Sequence, residues 1–134
     1  MTNPNVELIR TVYERWRQGD FSPDDQVYGE DLLWGYSDEF PEIAGMERGG
    51  TGRSDRLLRW LSTWEHWRTE PEEFLANGDH VVALVRYIGR GKGSGVEVDD
   101  PGAHVWELRD GRPVRLVIYS DRARALEEAG IPAG

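Results

Sequence analysis

Asn77-Gly78-Asp79-His80-Val81-Val82-Ala83-Leu84-Val85-Arg86-Tyr87-Ile88-Gly89 is the stretch that decides the fold. Asn-Gly supplies the positive-φ residues of a tight hairpin turn. Residues 80–88 then form a strand that is apolar at both parities: Val81, Ala83 and Val85 on one side, Val82, Leu84 and Ile88 on the other. A strand buried on both faces needs a helix against one and another body, such as a partner subunit, against the other.

Working outward towards the C-terminus, the glycines of residues 89–95 bend the chain. Val96 to Asp99 and His104 to Arg109 read as strands, or as one long strand broken near Pro101-Gly102. Asp110-Gly111 is a second hairpin signal. Val114 to Ser120 is the last strand, and Asp121 caps a final helix over Arg122 to Ala129 that Gly130 and Pro132 terminate. Towards the N-terminus, Glu72 to Ala76 is a short strand before the turn. Leu57, Trp60, Leu61 and Trp64 recur at helical spacing, which predicts a helix over Arg53 to Trp67 closed by Pro71. Ser37 to Gly52 reads as a lid-like or binding loop, with Asp38 and Glu42 as candidate carboxylates at its mouth. Leu32 to Tyr36 is a strand, and Ser22-Pro23-Asp24-Asp25 opens a short helix reaching Tyr28-Gly29. In the first helix Asn3 is the N-cap, Pro4 takes the first turn, and Val6, Ile9, Tyr13 and Trp16 share one face.

Helices set before an antiparallel meander define an α+β domain. The expected architecture is a strongly curved antiparallel sheet wrapped around helices, cone-shaped, with a central pocket, built from residues 1–134 as a single domain. Two-sided apolarity at residues 81–88, and of Leu116 and Ile118 alternating with Val117 and Tyr119, predicts a homodimer through the outer face of the sheet.

Composition narrows the function. The chain has 134 residues, a formal net charge of −9, no Cys and 6 Trp. Its acidity disfavours nucleic acid and anionic membranes. Lack of Cys removes thiol chemistry and Cys-ligated zinc, and the three His are too scattered for a metal motif. No run approaches the roughly 20 apolar residues of a membrane span, and residues 1–7 lack a signal peptide's apolar core, so a cytoplasmic protein is expected. The Trp excess, with Tyr13, Trp16, Trp34, Trp60, Trp64, Tyr87 and Trp106 as candidates, points to an aromatic-walled pocket for a small apolar or aromatic molecule. Arg86 is the charge in an otherwise apolar strand; it pairs with a carboxylate in the cavity, or reaches solvent or an interface. His104 opens a strand on which Trp106 and Leu108 share its parity, and an imidazole in an apolar pocket is a candidate acid/base group. Asp121 is explained by capping alone. Gly91-Lys92-Gly93-Ser94 lacks phosphate-loop spacing and leads into a strand, so it reads as a bend.

This element order resembles the SnoaL-like branch of the nuclear-transport-factor-like superfamily. The matching phrases are residues 13–20 (YERWRQGD), 31–34 (DLLW), 52–54 (GRS), 105–111 (VWELRDG) and 115–121 (RLVIYSD). The resemblance implies the cone fold and a cofactor-free pocket, and leaves the chemistry open. Ketosteroid isomerases, similar in layout, carry a carboxylate base on the first strand where this chain has Tyr36, with Asp38 two residues on. Limonene-type epoxide hydrolases need acids where this chain reads Val85-Arg86-Tyr87 and Ile118. Both catalytic sets are broken here. SnoaL-type cyclases pair an Asp with a His, and His104 matches the His alone. The resemblance therefore implies a cyclase or isomerase using general acid/base chemistry on an apolar, polyketide-like carbonyl compound, with His104 as acid/base and Tyr36 or Asp38 as its partner. The alternative is a non-catalytic small-molecule-binding dimer of the same fold.

Overall fold

The protein, in a computed structural model, is described here over residues 3–18, 32–41, 44–48, 59 and 62–132. Helix α1 spans Pro4–Arg17, and Asn3 caps it as expected, its side chain accepting from the backbone N–H groups of Asn5 and Val6. Strands β1 (Leu33–Tyr36), β2 (Gly45–Arg48), β3 (Trp64–Asn77), β4 (His80–Gly91), β5 (Glu97–Arg109) and β6 (Arg112–Tyr119) follow, then helix α2 (Arg122–Glu128) capped by Asp121. They form one six-stranded sheet in the order β2-β1-β6-β5-β4-β3.

Both hairpins form, joining β3 to β4 and β5 to β6; Asp110-Gly111 turns where the sequence places it, whereas the first turn is Gly78-Asp79, one residue on, because Asn77 still pairs with His80. Four expectations are corrected. Residues 64–67 end no helix; they begin β3, whose pairing with β4 extends from Trp64 opposite Gly91 to Asn77 opposite His80. Continuous cross-strand pairing outweighs a helical spacing carried by a few Trp and Leu. Pro71 sits within that strand, on the sheet edge and beside a bulge, where a missing N–H is tolerated. Residues 37–52 are not all loop, since β2 pairs antiparallel with β1. Residues 97–109 form one unbroken strand that runs past the end of β6 at Pro101. The sheet is mixed and not fully antiparallel, because β1 lies parallel to β6. The expected helix at residues 22–28 lies outside the described residues, as does most of the one at 53–63, of which Arg59 is helical.

Two apolar layers flank the sheet. On one face, Val81, Ala83, Val85 and Tyr87 of β4 join Trp106 and Leu108 of β5, Leu116 and Ile118 of β6 and Trp34 of β1 against Ile9, Val12 and Tyr13 of α1. On the other, Val82, Val105, Val117 and Tyr119 pack against Ala125, Leu126 and Ala129 at the C-terminal helix. The two-sided apolarity of β4 thus has α1 on one side and α2 on the other. Asn77 fastens that second layer, its side-chain amide donating to the carbonyls of Ala129 and Gly130. No helix among the described residues is long and apolar enough to cross a membrane.

Candidate functional site

The site grows from strand alternation. His104 and Trp106 sit two apart on β5, so both face α1, and α1 answers with Tyr13. Trp106 is fully buried and His104 keeps only 3% exposure. Trp106 Nε1 donates to Tyr13 Oη at 3.1 Å, and Tyr13 Oη lies 2.5 Å from His104 Nδ1. Burial lowers the His104 pKa from 6.5 to about 3, so the imidazole is neutral at physiological pH. Burial likewise raises the Tyr13 hydroxyl well above its usual value, against a smaller lowering by the Trp106 hydrogen bond.

Around this polar centre the rings are continuous. The Tyr13 ring centroid is 5.0 Å from Trp16 and 5.6 Å from Phe74, both edge-on. Tyr87 lies 5.9 Å from His104 and stacks on Trp67 at 5.8 Å, and Trp67 meets Trp64 at 4.8 Å. Phe40 bridges Tyr36 at 5.4 Å to Tyr87 at 6.2 Å. Two glycines make the arrangement possible. A Cβ on Gly102 would stand 2.1 Å from Cε2 of Tyr87, and one on Gly89 would stand 2.6 Å from Cε3 of Trp67. Each ring therefore lies flat across a neighbouring strand where only glycine fits. Tyr87 reaches over Gly102 to donate its hydroxyl to the Tyr119 carbonyl at 2.9 Å.

Of the residues singled out in the sequence, the structure brings Tyr13, Trp16, Tyr36, Trp64, Tyr87, His104 and Trp106 together in this ring system. Trp34 is buried in the same apolar layer. Trp60 and Glu42 lie outside the described residues. The structure takes two residues away from the centre. Arg86 has the opposite parity to Tyr87, and its guanidinium pairs at 2.7 Å with Asp99 on the exposed side of the sheet. Asp38 is strongly exposed and pairs at 2.6 Å with Arg124 of α2. Tyr36 is kept protonated by burial, which raises its hydroxyl well above the ordinary value.

Phe40, Trp67 and Phe74 join the rings without having been picked out in the sequence. A glycine inside an apolar strand, at Gly89 and Gly102, was the available signal for close ring contacts. Glu39 was also missed. Its carboxylate accepts from Ser37 Oγ at 2.6 Å, Ser120 Oγ at 3.0 Å, and the backbone N–H groups of Ser120 at 3.2 Å and Asp121 at 2.8 Å. Desolvation raises its pKa, yet these hydrogen bonds outweigh it and hold the carboxyl below its usual range. Glu39 ties the segment bearing Phe40 to the start of α2. Glu39→Gln is expected to lower stability by about 1–2 kcal/mol, the scale of charge-assisted hydrogen bonds lost or weakened. A melting temperature unchanged within error would show that this tie carries no stability.

Two helices with an open, six-stranded mixed sheet give the protein the fold of the nuclear-transport-factor-like α+β cones. The chain belongs to the SnoaL-like family, whose domain model matches residues 9–116. It is similar in structure to an NTF2-like protein from Burkholderia thailandensis, at 22% identity over 98% of this chain and 100% of that one, with a TM-score of 0.75. It is also similar to TerC co-crystallised with polyporic acid (24% identity, 95% and 98% covered, TM-score 0.74). A third likeness is to a putative SnoaL-like polyketide cyclase from Jannaschia (16% identity, 96% and 93% covered, TM-score 0.63). None of the curated proteins compared with the chain matches it.

Proposed function

We propose that the protein binds a small, flat, largely apolar molecule on the α1 face of its sheet, against the ring system that surrounds His104. The observation that carries this reading is the continuity of Tyr36, Phe40, Tyr87, His104, Tyr13 and Trp16 around one neutral imidazole. Aromatic walls with few polar groups suit planar ligands. The likeness to TerC with polyporic acid supports a small-molecule role for this fold. Calorimetric titration with two-ring aromatic compounds tests it. Phe40→Ala and Trp67→Ala should each weaken binding about 10-fold, the order of one lost ring contact with its buried area. Affinity unchanged in both variants would overturn the reading.

A cofactor-free cyclase or isomerase acting on a polyketide-like carbonyl compound is the second reading, favoured by the 2.5 Å Tyr13–His104 hydrogen bond. An imidazole whose pKa lies near 3 is a weak base at neutral pH, so His104 would act as a neutral donor to a developing oxyanion. Neither expected partner supplies a base, Asp38 being paired with Arg124 and Tyr36 held protonated. Binding is therefore the better-supported function. Exchange of a bound ketone's α-hydrogens in heavy water, catalysed by the protein and lost in His104→Ala, would carry the catalytic reading instead.

The proposal keeps a homodimer through the sheet. Its support is Leu84 and Ile88, half-buried on the face that α2 shares. Light scattering at micromolar concentration is expected to give twice the mass of the chain, and a monomer would exclude it.

A further inference from the structure

The hydrogen bonds around Tyr13 have a direction. Trp106 Nε1 carries a hydrogen and can only donate, so Tyr13 Oη accepts at 3.1 Å. The second neighbour of Tyr13 Oη is His104 Nδ1 at 2.5 Å. If Nδ1 carried the ring proton, Tyr13 would accept twice. Its own buried O–H would then lack an acceptor among the described residues, which is the costly way to fill a buried site. With Tyr13 donating to Nδ1, Trp106 Nε1, Tyr13 Oη and His104 Nδ1 are all paired, and the proton of the neutral imidazole stands on Nε2, which is left to donate to an acceptor.

We infer that Tyr13 is a positioning residue that locks His104 in its Nε2–H tautomer, so that the site favours ligands offering a hydrogen-bond acceptor and disfavours those whose sole polar group is a donor. A carbonyl oxygen or an aromatic ring nitrogen satisfies Nε2–H. An N–H presented to it stays unpaired in a buried site. Full burial keeps the ring uncharged and so keeps the preference in force across the neutral range. The tautomer follows from the protein's own hydrogen bonds; the ligand preference rests on the binding function proposed above.

Nitrogen NMR of the protein labelled at histidine reads the first half without any ligand. His104 should show Nε2 as the protonated nitrogen and Nδ1 as the bare one, and Tyr13→Phe should mix the two forms. A protonated Nδ1 in the unaltered protein overturns the inference, whether or not the variant folds. The second half compares isoquinoline, an acceptor, with indole, a donor, as two-ring probes of similar size. Isoquinoline should bind at least 10-fold more tightly, and the gap should narrow in Tyr13→Phe. Equal affinities in the unaltered protein overturn the ligand preference. If neither probe binds, the binding function falls and the ligand preference with it, while the NMR result still decides the tautomer.

Discussion

On acidification from pH 6.5 towards pH 4 the protein is expected to lose stability through His104. The folded ring has its pKa lowered to about 3 by burial, whereas the unfolded ring titrates near 6.5. Between those values the unfolded chain binds a proton that the folded one refuses, so stability rises with pH across the window and falls as acid is added. The slope is up to about 1.4 kcal/mol per pH unit for one proton. Above pH 6.5 the penalty vanishes because both states are neutral. Glu39 acts in the same direction, since its folded pKa is lowered, but an ordinary carboxylate titrates near pH 4. The range from pH 5 to 6.5 therefore reports chiefly on His104. Urea titrations in that range should show the slope in the unaltered protein and its absence in His104→Ala. That variant should also be weaker at pH 7 by about 2–4 kcal/mol, from the cavity and from the Tyr13 hydroxyl left without its acceptor. Parallel pH dependences in the two proteins would mean that His104 is open to solvent and would falsify the buried neutral imidazole on which the site is built.

Gly102→Ala is the second large effect, and it involves no charge. The added methyl would stand 2.1 Å from Cε2 and 2.6 Å from Cζ of Tyr87. The obstacle is an aromatic ring held by its own hydroxyl on the Tyr119 carbonyl, so it cannot swing aside without breaking that bond. Overpacking together with the lost hydrogen bond is expected to cost about 3 kcal/mol. At this chain length that corresponds to a melting temperature lower by roughly 10 °C. Tyr87→Ala removes the obstacle at the price of a cavity. The double variant should therefore be much more stable than the sum of the two single losses predicts. Simple additivity would show that the ring does not lie over Gly102. Displacement of Tyr87 also disturbs Phe40, Trp67 and His104, which all contact it, so Gly102→Ala should weaken binding of planar probes as well.

Local chemistry was enough to fix several features of this protein. Asn3 and Asp121 cap their helices as their side-chain oxygens suggest. The chain turns at Asp110-Gly111 as the sequence has it and within one residue of Asn77-Gly78, and period-two alternation puts His104 and Trp106 on one face. Each of these depends on a few neighbouring residues, or on a periodicity that survives folding unchanged. Other features depended on partners distant in the chain. Trp64 and Trp67 have helical spacing within their own segment, yet pairing with residues 89–91 of β4 draws them into a strand. Arg86 and Tyr87 are adjacent in sequence, and the pleat sends one to Asp99 and the other to the rings. Glu39 looks like any loop acid until Ser120 and Asp121 are brought beside it. Gly102 reads as a break, although in the sheet it is the space that Tyr87 fills. A sequence records the side chain at each position; which atoms a ring or carboxylate meets across 15 to 93 residues of chain is settled only when cross-strand pairing and burial select one register among many.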